Sequence, residues 1–573
     1  MANGMGTLYI ASSGLRNSQN ALNTTANNLA NVDTEGYVRQ QVLFSDKEYN
    51  TFGTAAVSKQ QAGLGLDIGD VVHARDYFLD KAYRAESGRQ AFYESCFTAV
   101  DEIQTYFQEM EGKTFQSALE DFKKAFQELA IDPSDSVRQN LVVQKAGLFL
   151  SRSQSVYEGL KSYQSNINTK VSQDIDKINK LGHKIHELNQ QISKIEAGGI
   201  ETAMDLRDER DLALDQLGAL AKISYKEDYK GVVTVKLEDE YFVDELHTYE
   251  IGKKTDKLTG FITPYWPQLS DTDRDIYVNV FDFNVDISTA LNSDVGELKA
   301  LIMSRGDHWA DYSDIEGKGE QEYLDTTNLS VIIDMQAKLD QMVHNMITAI
   351  NDQLCPNVTG PVGVTYQDAN GNTVNLSDAK VLDTENCARG SDGELPPREL
   401  FVRAGIERYT EVTGSDGKTY YVYNEEDTSD TSYMYSLTSC GVNEELKKIE
   451  TLFPHLKQNG EVDQQLGERL EALWNKDLVG LDPTDPDECN IEEYYQKMIG
   501  GLATVGNVYQ KKAENLAGSV LTIENNRQQV IGVSSDEELQ NMIKFQNAYN
   551  ASSRFMTVIS DMIEHIVTRL GNG

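Results

Sequence analysis

The sequence predicts a multidomain, mainly α chain with β domains. Its N- and C-terminal helices pair as a coiled-coil-like unit, its centre is a long-helix domain with a small β part, and an all-β domain is inserted. Three observations point there. Leu8, Leu15, Leu22 and Leu29 recur every seven residues near the start, and Met542, Tyr549, Met556, Ile563 and Leu570 do the same near the end. Such a repeat holds one narrow seam on one side of a helix, which suits packing along another helix. Charge is the second observation. The chain carries −39, yet residues 1–44 sum to zero and residues 539–573 to +1, which leaves −40 for the stretch between them. Closely packed helices disfavour unpaired charge, whereas an acidic body stays soluble by self-repulsion. The third is central: Val171, Ile178, Ile185 and Ile192 share one heptad position and Leu181, Leu188 and Ile195 another, with charged and amide residues between.

Each element follows in turn. The first helix runs to about Leu29, where Asn27, Asn28 and Asn31 lead into Val-Asp-Thr-Glu-Gly-Tyr, with Gly36 free to take positive φ. Residues 45–70, rich in Gly, Gln and Thr, read as an extended connection, and helix resumes near Asp76. Gly198-Gly199 stops the long central helix, and Ala203 to Leu220 folds back beside it. From Ile223 the period becomes two, through Val233, Val235 and Leu237 and on to Tyr277, Asn279 and Phe281. Residues 326–352 are helical again. Between 355 and 487, Asn370-Gly371 and Asp416-Gly417 signal hairpins beside short Val and Tyr alternations. Tyr494 to Arg527 and Leu539 to Leu570 close the chain as helices. The expected domains are 1–45 with 532–573, a terminal helical assembly unit; 46–354 with 488–531, a helix-rich unit with a small β part; and 355–487, a β-rich outer insert.

Composition narrows function. With 91 Asp and Glu against 52 Lys and Arg, the chain lacks the clustered cations that phosphate backbones require, so nucleic acid is not an expected partner. Cys96, Cys355, Cys387, Cys440 and Cys489 are too scattered for a zinc pair or CxxC and read as apolar filler. No basic leader with an apolar core opens the sequence, and no run approaches the roughly 20 apolar residues of a membrane span. On targeting alone a cytoplasmic location is expected.

Chemistry is sparse. Gly112-Lys113-Thr114 and Gly417-Lys418-Thr419 resemble the end of a phosphate loop, but Phe107 and Val412 stand where glycine is required. Gly63, Gly65 and Gly69 are wrongly spaced for a dinucleotide fingerprint. His183, His186 and Glu187 approach a zinc helix, yet Gln190 replaces the second histidine. Asp271, Asp273 and Asp275 open like a calcium loop, but Ile276 and Asp282 break it. No cofactor, metal or catalytic residue is expected, and no enzyme.

Ala26-Asn27-Asn28-Leu29-Ala30-Asn31, followed by Thr34, Gly36, Tyr37 and Arg39, resembles the N-terminal signature of bacterial flagellar rod, hook and hook-associated proteins. Gly63-Leu64-Gly65 with Arg75, Asp76, Phe78, Leu79 and Arg84 narrows this to the hook-associated protein 1 family, the first hook–filament junction proteins. Leu188 to Ile192 with Asp205-Leu206-Arg207-Asp208-Glu209-Arg210-Asp211 is similar to that family's long helix and Arg-Asp turn, and Gly532-Val533, Asp536 to Leu539 and Phe545 to Tyr549 to its C-terminal entry. Residues 355–487 match only weakly.

The resemblance implies a structural subunit at the junction of hook and filament, needed for filament assembly and so for motility. It implies type III export without a cleaved signal, which replaces the cytoplasmic expectation with an extracellular one. The implied partners are further copies in a ring, the hook protein, the second junction protein and an export chaperone that guards the C-terminal helices. A paralogous hook or distal rod component is the alternative, and a secreted enzyme in 355–487 a remote one. Leu8, Leu15, Leu22, Leu29, Met542, Tyr549, Met556, Ile563 and Leu570 are the expected assembly interface; Asn27, Asn28, Asn31, Thr34, Gly36, Tyr37 and Arg39 are the motif.

Overall fold

The computed structural model describes residues 2–46, 50–55, 58–62, 65–108, 114–198, 202–368 and 371–570. Gly63, Leu64, Gly112, Lys113, Gly199, Asn370 and the side chain of Leu570 lie outside the described residues.

The chain is mainly helical with several small sheets. Helix α1 (Ala2–Ala30) is followed by β1 (Gln40–Asp46), β2 (Asn50–Ala55), β3 (Ser58–Ala62) and β4 (Leu66–His73). Then come α2 (Tyr77–Gln108), α3 (Phe115–Ile131), α4 (Ser136–Glu196) and α5 (Met204–Leu220). A three-stranded sheet, β5 (Ile223–Glu227), β6 (Val233–Leu237) and β7 (Glu240–Val243), precedes the pair β8 (Gly252–Thr255) and β9 (Ile262–Tyr265). Helices α6 (Glu297–Arg305), α7 (Glu320–Asp325) and α8 (Val331–Leu354) lead to β10 (Asn357–Thr359), β11 (Thr365–Gln367), β12 (Thr373–Asn375), β13 (Lys380–Leu382), β14 (Phe401–Arg403), β15 (Tyr409–Thr413), β16 (Thr419–Tyr423) and β17 (Cys440–Val442). Helices α9 (Glu444–Lys448), α10 (Gln464–Ala472), α11 (Ile491–Ile531) and α12 (Ser535–Leu570) complete it.

Three expectations give way. The extended connection over 45–70 is instead strand: β1 pairs antiparallel with β4 and β2 with β3. Its Gly- and Gln-rich composition hid the pairing because branched residues such as Thr51, Thr54 and Ile68 are too scattered in it to give the alternation that marks a half-buried strand. Tyr277, Asn279 and Phe281 form no strand, only a bridge from Asn279 to Tyr265. The segment 355–487 is not all β, since α9 and α10 lie within it. The hairpin turn at Asp416-Gly417 does join β15 to β16, with Gly417 at φ +80.

The long helix is longer than its heptads show: α4 has 61 residues and starts at an Asp135 cap that accepts from the Val137 N–H. Its first half, from Val142 to Leu160, repeats the buried spacing of the second half and meets α3 on one side and residues from 355–487 on others. Phe149 stacks on Phe122 at 5.6 Å, and Phe122 in turn meets Phe401 edge-on at 6.2 Å and Trp474 at 5.7 Å. Leu382, Phe401, Tyr435, Phe453 and Trp474 therefore belong to the same apolar core as the helices. The part of the segment that carries its own small core is the sheet around Leu376, Val381 and Val422.

Helix α12 packs along α1. Asn28 meets Glu538, and a Cβ added to Gly14 would lie 2.7 Å from Ser552 Oγ. The interval from Gly14 to Asn28 equals that from Glu538 to Ser552 in reverse, so the helices run antiparallel in one register.

Phe122→Ala should cost about 3–5 kcal/mol, the usual range for emptying a large aromatic site. In a Trp266→Phe, Trp309→Phe background that leaves Trp474 as the one reporter, urea transitions followed by far-UV circular dichroism and by fluorescence should shift together; a fluorescence transition left behind at the midpoint of the chain with Phe122 intact would show that 355–487 unfolds independently.

Candidate assembly site

The stalk formed by α1, α12 and the β1–β4 hairpin meets the rest of the protein at one polar node. The geometry starts with the asparagines that end α1. Asn31 donates to the Asn27 carbonyl at 3.0 Å, and Thr34 Oγ1 donates to Asn31 Oδ1 at 3.1 Å, which turns the chain as the sequence suggested. Gly36 has φ +80, open to glycine without strain. A side chain there would also press on Leu212 of α5 at 3.2 Å.

Asn28 is the centre, only 1% exposed. Its Oδ1 accepts from Tyr37 OH at 2.8 Å and from the Gln40 N–H at 3.1 Å, while its Nδ2 donates to the Gln40 carbonyl at 2.9 Å and to Glu538 Oε2 at 3.3 Å. One amide thus fastens its own helix to the start of β1 and to α12. Arg39 completes the closure: its guanidinium binds Glu538 Oε1 at 2.8 Å and Glu537 Oε2 at 3.1 Å, and its N–H donates to the Ile531 carbonyl at 2.9 Å. Glu538 is 2% exposed, so removing Arg39 leaves a buried carboxylate without its cation, which costs far more than losing a surface bridge.

Asp208 of α5 holds the stalk from the other side. Its Oδ2 accepts from the Val38 N–H at 2.9 Å, and its Oδ1 lies 3.4 Å from His73 Nδ1 at the end of β4. That distance suits an ion pair, but burial favours the neutral forms. Desolvation pushes the Asp208 carboxyl up to about 7, against the Val38 N–H and Arg75. His73 is lowered to about 4, chiefly by burial and then by the Arg75 and Arg207 charges. Burial, aided by Asp205, Asp208 and Glu538, also raises the Tyr37 hydroxyl well above its ordinary value. Beneath this node Arg84 bridges Asp211 and Asp215 at 3.2 and 2.6 Å, Arg527 bridges Asp80 and Asp215 at 2.6 and 2.7 Å, and Arg75 pairs with Asp80 and Asp211. Three cations and three carboxylates balance while tying α2, α5 and α11 together.

The motif residues Asn27, Asn28, Asn31, Thr34, Gly36, Tyr37 and Arg39 thus converge on one junction. The heptad residues behave differently. Leu8, Leu15, Leu22 and Leu29 are all half-buried, beside a fully buried line of small residues: Ala11, Ser18, Ala21, Thr25 and Asn28. Met542, Tyr549, Met556 and Ile563 are half-buried as well, flanking Glu538 and Ile559. Small residues at the seam let the backbones approach, and the leucines cover its edges. The sequence reading quoted Asp208 and Glu538 only within the segments that resemble the family and passed over His73; the signal for Asp208 was present in the dense Arg-Asp run 205–211. His183, considered above for zinc, contacts Glu250 at 2.6 Å. Among the described residues no group of three His, Cys, Asp or Glu is placed to hold a metal.

Asn28→Ala strips four contacts from buried polar groups and should cost about 1–3 kcal/mol, seen as faster amide exchange at Gln40 and Val38. The pH response is more specific. Ordinary Asp and His values are about 3.9 and 6.5, so between about pH 4 and 6.5 closing the joint moves one proton from His73 to Asp208 with no net uptake. Joint stability should be flat there. His73→Gln leaves Asp208 alone, with its raised pKa, and stability should fall as pH rises from about 4 to about 7; Asp208→Asn leaves His73, with its lowered pKa, and stability should rise from about 4 to 6.5, each by on the order of 3 kcal/mol. Exchange rates at Val38 against pH check both signs.

Comparison with known proteins follows this geometry. A family model described as flagellar hook-associated protein FlgK helical domain matches residues 100–365. One for flagella basal body rod protein matches 8–37, and one for flagellar basal body rod FlgEFG protein C-terminal matches 528–569. The last two cover the stalk helices and meet at the node. Flagellar hook-associated protein 1 of Bacillus subtilis (strain 168) is 25% identical over 581 residues, covering 97% of this chain and 96% of that one. Its namesake in Salmonella typhimurium is 19% identical over 97% of this chain and 98% of its own. A solved flagellar hook junction protein FlgK from Burkholderia pseudomallei aligns with a TM-score of 0.48 at 12% identity, over 78% of this chain and 100% of that one. With relatives matched from end to end and family models on both stalk segments and on the helical body, the chain is similar over nearly its whole length to flagellar hook-associated protein 1.

Proposed function

We propose that this protein stands as a ring of copies between hook and filament, with its paired terminal helices forming the joining layer. That it is a structural subunit of the flagellum at the hook–filament junction, assembled with other axial proteins, follows from that similarity; the ring, the individual neighbours and the route are our reading. The observation that carries it is the apolar exposure of α12. One face lies on α1, while Ile543, Val558 and Met562 outside it are 48–61% exposed, and Ile566 and Val567, near the end of the helix where α1 no longer covers it, are 48% and 67% exposed. Burying each such side chain contributes about 1.5–3 kcal/mol, and groups of exposed apolar side chains on soluble chains mark contact surfaces.

Ordering one residue costs about 1–2 kcal/mol, so a two-helix stalk with a seam of small residues gains little by itself and much more when copies cover those side chains. The half-buried leucine and methionine stripes then act at the edges of that contact. The same side chains need cover before export, which is the role we assign to a cytoplasmic chaperone on the C-terminal helices. Export through the type III channel without cleavage, and contacts to the hook protein below and the second junction protein above, complete the reading. No helix among the described residues is long and apolar enough to cross a membrane. The hook-associated helical-domain match over 100–365 favours a junction subunit over a hook or rod paralogue. We assign no reaction to the segment 355–487.

Deleting residues 540–573 should abolish incorporation into flagella while the body melts at the wild-type temperature; incorporation at the wild-type level would overturn the role of the stalk. Cells lacking the protein should show hooks without filaments by electron microscopy, with filament subunits in the medium.

A further inference from the structure

The body carries a second surface that the terminal helices do not explain. Helix α11 has 41 residues and rests one side on α2, with Tyr494, Met498 and Leu502 buried. The opposite side is open, and its chemistry is unusual for this chain. Every exposed residue between 515 and 530 is uncharged, among them Asn515, Gly518, Ser519, Leu521, Thr522 and Asn525. The exposed side of α4 over the same length, 170–185, carries Lys170, Asp176, Lys177 and Lys180. A solvated helix in a chain of charge −39 is expected to look like α4.

Glycine supplies a separate argument. Gly500, Gly501 and Gly518 are exposed in the helix interior, and a Cβ at any of them would meet nothing within 4 Å. Glycine weakens a helix there, and nothing inside the monomer requires it. Gly506 differs, since its Cβ would lie 2.8 Å from Val100 on α2. The open positions 501, 508, 515, 522 and 529 recur every seven residues, with 504, 511, 518 and 525 between them, the geometry of a seam for a helix lying alongside. Lys511 is the one charge on that line.

We propose that the exposed face of α11 is a lateral contact between copies of this chain, extending their association from the stalk into the body. The inference rests on the ring reading above. The occupant is a second copy for two reasons. Residues 532–534 alone separate α11 from α12, so this face belongs to the helix next in sequence to the one already assigned to neighbouring copies. The middle of the chain is otherwise strongly acidic, and two such bodies can approach closely only where charge is absent.

The test uses flagella from cells making the full-length chain with a photo-crosslinking residue at 522, or at 177 as a control. Position 522 should yield covalent multimers of this chain alone, and 177 none. Products joining 522 to a different axial protein, or no product from a chain that is incorporated, would overturn the proposal. Gly518→Gln adds bulk and a better helix former: the secreted monomer should melt at or above the wild-type temperature while incorporation falls at least tenfold, and wild-type incorporation would contradict it. Absence of the unmodified protein from flagella would instead defeat the ring reading itself.

Discussion

Everything in this molecule depends on one buried polar constraint: Asn28 and Arg39 must meet Glu538 although some 500 residues lie between them. A buried carboxylate without its cation is costly, so the node closes in one register or not at all. That register fixes the antiparallel alignment of α1 on α12 and brings Gly14 to Ser552. An apolar seam alone could slide by a heptad. The small residues Ala11, Ser18 and Ala21 would tolerate such a slip; Asn28, satisfied by Tyr37, Gln40 and Glu538 together, would not.

The node also decides how force and motion pass between stalk and body. Three chain segments cross there, and each is hydrogen-bonded to another: Arg39 to Ile531, Ala74 to Arg39, and Val38 to Asp208. Beneath it the balanced Arg75, Arg84 and Arg527 network anchors to α2, α5 and α11, the helices of the body. A structural subunit needs such a joint, because its charge-poor terminal helices and its acidic body have opposite requirements. The His73–Asp208 contact adds a proton balance that keeps the joint indifferent to mild acidification.

Charge distribution separates surfaces that join from surfaces that stay wet. The near-neutral ends, the uncharged stretch of α11 and the exposed apolar residues of α12 are poor in charge, whereas α4 turns Lys and Glu outward. In the segment 355–487, Phe401 and Trp474 insert between the helices instead of closing a core of their own, so an insertion in sequence is part of the body in space.

The sequence by itself determined the helices, the neutral ends, the central seam and the Asn-Gly-Tyr motif, because periodicity and turn chemistry act over a few residues and survive in any context. It did not determine the strands over 40–73, because partners such as Val42 and Val71 stand far apart in sequence and the pairing is visible only once they meet. Nor did it show that the heptad leucines flank a seam of Ala, Ser and Thr, since a repeat gives the spacing of a face but not which neighbouring position turns inward. Only the tertiary structure decided that Asp208, His73 and Glu538 share one node and that the open side of α11 lies uncovered, because burial and partnership are properties of segments hundreds of residues apart.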